Sequence, residues 1–322
     1  MSRRTVLLLA GEPSGDAHGG ALARAIARRL PGVRLTGTGG PAMAAAGVEL
    51  LATLDDLAVM GFAEIVPRLP VFARLGRAVR SRLAGGEADL LVAIDFPGFN
   101  LRAARWARDA GVRVLYYVAP KVWAWRPGRA RTLAAADEVA VVLPFEEAFL
   151  RERGVRATFV GHPLLDPPRE APCPEDAFRR RWGLDPERPL LALLPGSRRQ
   201  EIGRHLRLFE EAAHAVREAL PDVLPVLARA PSLSRAAYAG AAFPVVDDAR
   251  ALLRHARAAL VKSGTATLEA ALERTPMVVA YRTSAATWAL ARRLVRVEHV
   301  SLPNLVAGEG VVPEHVQADA TP

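Results

Sequence analysis

Short β-rich apolar runs alternate along this chain with longer Ala/Arg/Leu segments, and that alternation restricts the fold more than any other feature. Strand-like runs lie at 5–10, 33–37, 89–95, 112–118, 138–143, 157–160, 189–194, 223–228, 258–261 and 276–281. Helical patterns fill most of the gaps, for example at 19–30, 100–110, 200–219 and 265–274. Such alternation predicts an α/β fold with parallel sheets covered by helices on both faces. The stretch 161–176, GHPLLDPPREAPCPED, holds five prolines and no periodicity, and reads as a linker. The chain is therefore expected to form two domains, 1–165 and 166–322. Each has strands for one doubly wound, Rossmann-like sheet. Two such sheets facing across a cleft would take ligands at the carboxyl ends of their strands.

Composition narrows the function classes. The chain is 322 residues long and 51% hydrophobic, enough for a sizeable core. No apolar run approaches the ~18 residues that span a bilayer. The start, MSRRTVLLLAGEPSG, is too short in its apolar part for a signal peptide, and a glycine/acid loop stands where cleavage would occur. A buried first strand fits it better. The single cysteine, Cys173, excludes an intrachain disulfide and suits a reducing cytoplasm. The net charge of +9 is compatible with nucleic acid, an anionic membrane or phosphorylated substrates. No helix-turn-helix, zinc-finger or RNP-like pattern is present, so nucleic acid is not an expected partner. No D-x-D, HExxH or CxxC pattern occurs either, so no catalytic metal is expected.

Several stretches carry chemistry. GEPSGDAHGG, 11–20, follows the first strand with four glycines, two carboxylates and no lysine. It is a poor diphosphate cradle. VAIDFPGFN places Asp95 at a strand's carboxyl end, where an α/β protein sets a general base or a helix cap. LLPGSRRQEIGRH runs from strand through the Gly196–Ser197 turn to Arg198, Arg199 and a helix. Backbone N–H groups and a bidentate guanidinium there suit a phosphate. VKSGTATLEAAL repeats the device at Ser263, Gly264 and Thr265. Glu269 in that helix could accept from a ribose diol or be an ordinary helix glutamate. YYVAPKVWAWRPGRA, with its paired tyrosines and tryptophans, reads as packing at a domain edge. SLPNLVAGEGVVPEHVQ, 301–317, reads as a loop containing Asn304.

One segment departs from the alternation. In 60–83 Phe72, Leu75, Val79 and Leu83 share a helical face, and Arg74 and Arg77 point away from it. A helix packed on its own sheet and a basic amphipathic element on an anionic membrane both fit. Pro67 and Pro70 predict a broken, irregular front.

Taken in order, GEPSGD, GTGGPAMAAAG, MGFAEIVPRLP, DFPGFN, YYVAPKVWAWRPGR, LPFE, FVGHPLLD, LPGSRRQEI, SGTATLEAAL, PMVVAYR and SLPNLVAG make the chain resemble the lipid-A-disaccharide synthases. Pro13 stands where that family more often has alanine. The resemblance implies a GT-B fold and a metal-independent, cofactor-free inverting glycosyltransferase. Its donor would be UDP-2,3-diacylglucosamine and its acceptor 2,3-diacylglucosamine 1-phosphate. It would act in the cytoplasm, peripherally on the inner face of the cytoplasmic membrane. It implies Asp95 as base and Gly196, Ser197, Arg198, Ser263, Gly264, Thr265, Glu269 and Asn304 at the UDP donor. Glu12, Ser14 and Asp16 would line the acceptor side. Phe62, Ile65, Val66, Leu69, Phe72 and Leu75 would meet the membrane or acyl chains. Family members continue with helices that return to the first domain, whereas this sequence ends at ADATP. The alternatives are another UDP-sugar GT-B enzyme (an epimerase or muramyl-type transferase) or a catalytically weak nucleotide-sugar-binding protein.

Overall fold

The computed structural model describes residues 4–57, 62–124, 127–166, 171–284, 288–289 and 298–322, with the backbone alone at 55, 62–68, 127 and 129. The chain divides into two compact units, Met1–Pro163 and Leu164–Pro322, and the division falls inside the proline-rich stretch.

The first unit is one parallel sheet of seven strands: β1 (Thr5–Leu9), β2 (Arg34–Gly39), β3 (Glu49–Thr53), β4 (Leu90–Ile94), β5 (Arg113–Tyr117), β6 (Glu138–Val141) and β7 (Ala157–Phe159). Their order is β3-β2-β1-β4-β5-β6-β7. The helices are α1 (Pro13–Arg29), α2 (Pro41–Ala44), α3 (Leu54–Leu57), α4 (Phe62–Ala84), α5 (Pro97–Asp109) and α6 (Pro144–Arg151). Strand β1 is buried on both faces, as a central parallel strand must be. Leu7 and Leu9 feed one core cluster, and Val6 and Leu8 the opposite one.

The second unit is a parallel sheet of six strands: β8 (Leu190–Leu194), β9 (Leu224–Ala228), β10 (Val245–Val246), β11 (Ala256–Lys262), β12 (Met277–Tyr281) and β13 (Glu314–Val316). Their order, β10-β9-β8-β11-β12-β13, repeats the plan of the first sheet. Its helices are α7 (Glu175–Trp182), α8 (Arg199–Ala219), α9 (Ala249–His255), α10 (Thr265–Leu272) and α11 (Leu302–Ala307). Strand β8 alternates in the same way: Leu190, Ala192 and Leu194 face one cluster and Leu193 the other. In each unit the strand order reverses beside the first strand, between β1 and β4 and between β8 and β11. Doubly wound sheets bind their ligands at that reversal.

Three expectations are corrected. The glycine-rich stretch after β1 is mostly helix, because α1 begins at Pro13 rather than at residue 19. Gly19 and Gly20 lie on its buried face, where an added Cβ would stand 2.6 Å from the Met43 sulfur and the Ala42 carbonyl. Those glycines serve close helix packing. The stretch 301–317 is not a loop throughout, since it supplies α11 and β13. Finally, Pro67 and Pro70 do not break the front of α4. The helix runs unbroken from Phe62 to Ala84. A proline removes one helical hydrogen bond, and here Leu75, Val79 and Leu83 anchor the helix in the core behind both prolines. Among the described residues, no helix is long and apolar enough to cross a membrane.

Candidate functional site

The two turns at the reversal of the first sheet are built against each other. Strand β4 ends in Asp95 and Phe96, and both adopt left-handed backbone angles, with φ of 44° and 48°. Val118, just past β5, does the same at 61°. Such geometry costs a non-glycine residue about 1–3 kcal/mol, and it collects at functional edges. Hydrogen bonds hold it. Asn100, fully buried, donates through Nδ2 to the carbonyls of Leu9, Ile94 and Asp95. The Tyr116 hydroxyl donates to the Asp95 carbonyl at 2.7 Å, and the Asp95 N–H donates to Tyr117. Burial, and then the charge of Asp95, push the Tyr116 phenol well above its usual range, so it stays a donor. Gly11 completes the arrangement: an added Cβ would meet the Phe96 ring at 2.5 Å.

Glu12 is half-buried at the N-cap of α1, and Ser14 is exposed in its first turn. Asp16, expected with them on the acceptor side, faces elsewhere. It is 5% exposed, and its two oxygens accept from the N–H groups of Gly40, Ala42 and Met43. It holds the turn between β2 and α2. The sequence hides this, because its partners lie 24–27 residues away.

Along α4 the expected lipid-facing residues separate. Leu75 is buried in the core. Phe72 packs toward Phe96 at a ring distance of 6.3 Å. Leu69 is 53% exposed. The side chains of Phe62, Ile65 and Val66 lie outside the described residues. Arg74, Arg77 and Arg80 are exposed.

In the second unit the turns after β8 and β11 flank the reversal. Glu201, in the first turn of α8, dominates them. Its Oε2 accepts from the N–H groups of Ser197 (2.9 Å) and Arg198 (3.3 Å), and its Oε1 accepts from Lys262 Nζ at 2.8 Å. Burial pushes this carboxyl up. Lys262, the Ser197 N–H and Arg198 outweigh that and hold it below the usual carboxylate range. Gly196 makes room for it: φ is +133°, and an added Cβ would stand 2.6 Å from the Glu201 Cβ. The turn's own N–H groups thus carry an internal carboxylate, while the Arg198 side chain remains 65% exposed. The Lys262 ammonium, absent from the expected donor set, lies 3.8 Å from the Cβ position of Gly264. It therefore stands beside both turns.

Ser263 donates through Oγ to the Val300 carbonyl, and Thr265 is exposed at the start of α10. Glu269 is half-buried. Burial raises its pKa, the charge of Glu273 adds to this, and Arg250 opposes it. Asn304, expected at the nucleotide, is 1% exposed and fully engaged. It donates to the Val312 carbonyl and Glu314, and accepts from the N–H groups of Val311 and Val312. That uses the whole hydrogen-bonding capacity of an amide. It pins the segment leading into β13.

Trp123 packs edge-on against Phe145 and donates to the buried Glu146. Among the described residues no group of three or more His, Cys, Asp or Glu side chains is placed to hold a metal ion.

Residues 6–322 match the family model described as lipid-A-disaccharide synthetase. A lipid-A-disaccharide synthase of Anaeromyxobacter sp. (strain K) is 44% identical over 330 residues, covering 98% of this chain and 85% of that protein. Two solved structures share the fold. A UDP-GlcNAc 2-epimerase of Neisseria meningitidis, bound to UDP-GlcNAc, has a TM-score of 0.60 at 10% identity, covering 95% of this chain and 90% of that one. A calicheamicin glycosyltransferase has a TM-score of 0.52 at 21% identity, with 95% and 89% covered.

Proposed function

Because this chain belongs to the lipid-A-disaccharide synthetase family, we propose that its two units divide one glycosyl transfer between them. The reaction is hexosyl transfer. UDP-2,3-diacylglucosamine gives its sugar to the 6-hydroxyl of 2,3-diacylglucosamine 1-phosphate, yielding the β-1,6 disaccharide 1-phosphate and UDP. The family match favours this over an epimerase or a binding protein.

The residues fit an inverting displacement. Asp95 takes the proton of the acceptor hydroxyl as its oxygen bonds to the donor's anomeric carbon. The bond from that carbon to the diphosphate breaks on the opposite face, and UDP carries off the electron pair. The observation that carries this role is the left-handed backbone at Asp95, fixed by Asn100 and Tyr116 at the reversal of the sheet. Glu12 and Ser14 stand on the same edge, suited to the acceptor's hydroxyls and amides.

The diphosphate falls to the second unit. Arg198 and Lys262 supply cations there, and the starts of α8 and α10 add their dipoles. Glu269 is suited to the ribose hydroxyls. No metal or cofactor takes part in this reading. Leu69 and the exposed arginines of α4 suit an anionic membrane surface, and Phe72 brings an apolar path to Phe96 beside Asp95. This supports peripheral attachment at the inner face of the cytoplasmic membrane.

The test is UDP release from the purified protein with both diacyl sugars in detergent. UDP that appears only when the acceptor is present is the expected result. Its absence overturns the transferase reading.

A further inference from the structure

Two stretches keep no task in that reading, the GHP at 161–163 and the lysine of YYVAPKVW. The fold brings them to one place. His162, just past β7, lies beside His18 of α1, with ring centroids 6.3 Å apart and planes at 87°. His18 lies 6.5 Å from the ring of Tyr117, the last residue of β5. All three rings are half-buried. His18 also stands one helical turn beyond the exposed Ser14, so it shares the face of α1 turned toward the candidate acceptor site.

His162 feels two positive neighbours. Burial lowers the pKa of His162, and the positive charges of His18 and Lys121 lower it further, to about 4. Lys121 is exposed, and its field also reaches Glu146. Two imidazoles and an ammonium gathered on one edge can donate together to an anion, whose charge would offset their mutual repulsion. The acceptor sugar brings such an anion, a phosphate monoester. The carboxylates at the start of α1 are unsuited to it.

We propose that His18, His162 and Lys121 bind the 1-phosphate of the acceptor. The proposal rests on the reading that the first unit takes the acceptor. Imidazole N–H and ammonium groups donate to the phosphate oxygens in charge-assisted hydrogen bonds. Glu12 and Ser14 are left to the sugar ring.

The test uses the full chain and two acceptors, 2,3-diacylglucosamine 1-phosphate and the same sugar without its phosphate. His18→Gln, His162→Gln and Lys121→Met are each expected to raise the KM for the phosphorylated acceptor about tenfold. The KM for the donor and the rate on the phosphate-free acceptor stay at wild-type values. Inorganic phosphate probes the anion alone. It is expected to compete with the acceptor in the wild type and to lose that effect in the variants. Equal losses on both acceptors, an unchanged KM for the phosphorylated one, or competition by phosphate against the donor alone each overturn the assignment. His162→Asn replaces His162→Gln if the latter lowers the melting temperature. Calorimetric binding of the phosphorylated acceptor in detergent reads the site without turnover. A wild-type protein that binds it, and variants that do not, support the site even if UDP release fails. Equal binding by wild type and variants overturns it.

Discussion

Lys262 donates to Glu201 at the reversal of the second sheet, Nζ to Oε1 at 2.8 Å, with the two side chains only 14% and 15% exposed. The pair ties the turn after β8 to the turn after β11. Removing the cation leaves a largely buried carboxylate, so Lys262→Met is expected to cost about 2 kcal/mol in urea unfolding. The pH dependence has a definite sign. The folded pKa of Glu201 lies below its usual value, so its contribution is complete above that value and fades as the pH falls through the folded one. The stability gap between wild type and Glu201→Gln should stay flat above pH 4.5, the ordinary glutamate value, and shrink below it. A gap that widens in acid would exclude the ion pair as its source.

Asp95→Asn separates charge from shape. Asparagine tolerates left-handed backbone, so the turn survives the exchange. Loss of the base is expected to lower kcat by about 10²–10⁴. The affinity for UDP stays unchanged in a direct binding titration. A kcat within about tenfold of wild type would remove Asp95 from the mechanism.

Gly11→Ala places a methyl group where the Phe96 ring lies. Overpacking of this kind costs about 1–3 kcal/mol. It should also lower kcat, because Phe96 is bonded in sequence to Asp95. Phe96→Leu in the same chain relieves the clash. Melting curves of the two single variants and the double variant should therefore show non-additive losses. Strict additivity would mean that the glycine and the ring do not constrain each other.

The sequence leads one to expect Arg198 and Asn304 at one ligand, but the Asn304 amide is taken up by its own segment whereas the Arg198 side chain is 65% exposed. Arg198→Ala is expected to weaken UDP binding about 10- to 100-fold, the worth of one or two charge-assisted hydrogen bonds, with little change in melting temperature. Asn304→Ala leaves two backbone N–H groups and a carbonyl without a side-chain partner. It should cost about 2–3 kcal/mol of stability before it touches UDP affinity. Calorimetry and thermal melts on both variants decide the matter.

The sheets were largely legible in the sequence because buried parallel strands are continuous apolar runs. The three strands missed, β3, β10 and β13, are all at sheet edges. β10 has two residues and β13 three, and β3 is half exposed, so none leaves such a run. Asp95 and Arg198 could be placed because a strand end and a turn are local signals. The roles of Asp16 and Glu201 could not, because each is set by backbone groups and cations that only the tertiary fold supplies. His162 was hidden for the same reason: 144 positions separate it from His18. Glycine density misled in a simpler way. In 11–20 it suggested a loop, whereas two of the four, Gly19 and Gly20, let a helix lie close to its neighbours.

The two units have separate cores, with β1 and β4 inside one and β8 and β11 inside the other. A volume change in one set of strands is absorbed locally. The half proposed to meet the lipid can therefore be remodelled for acyl chains of different length without disturbing the core of the half proposed for the nucleotide. The point at which the chain changes units is also where recombination between relatives should be tolerated best.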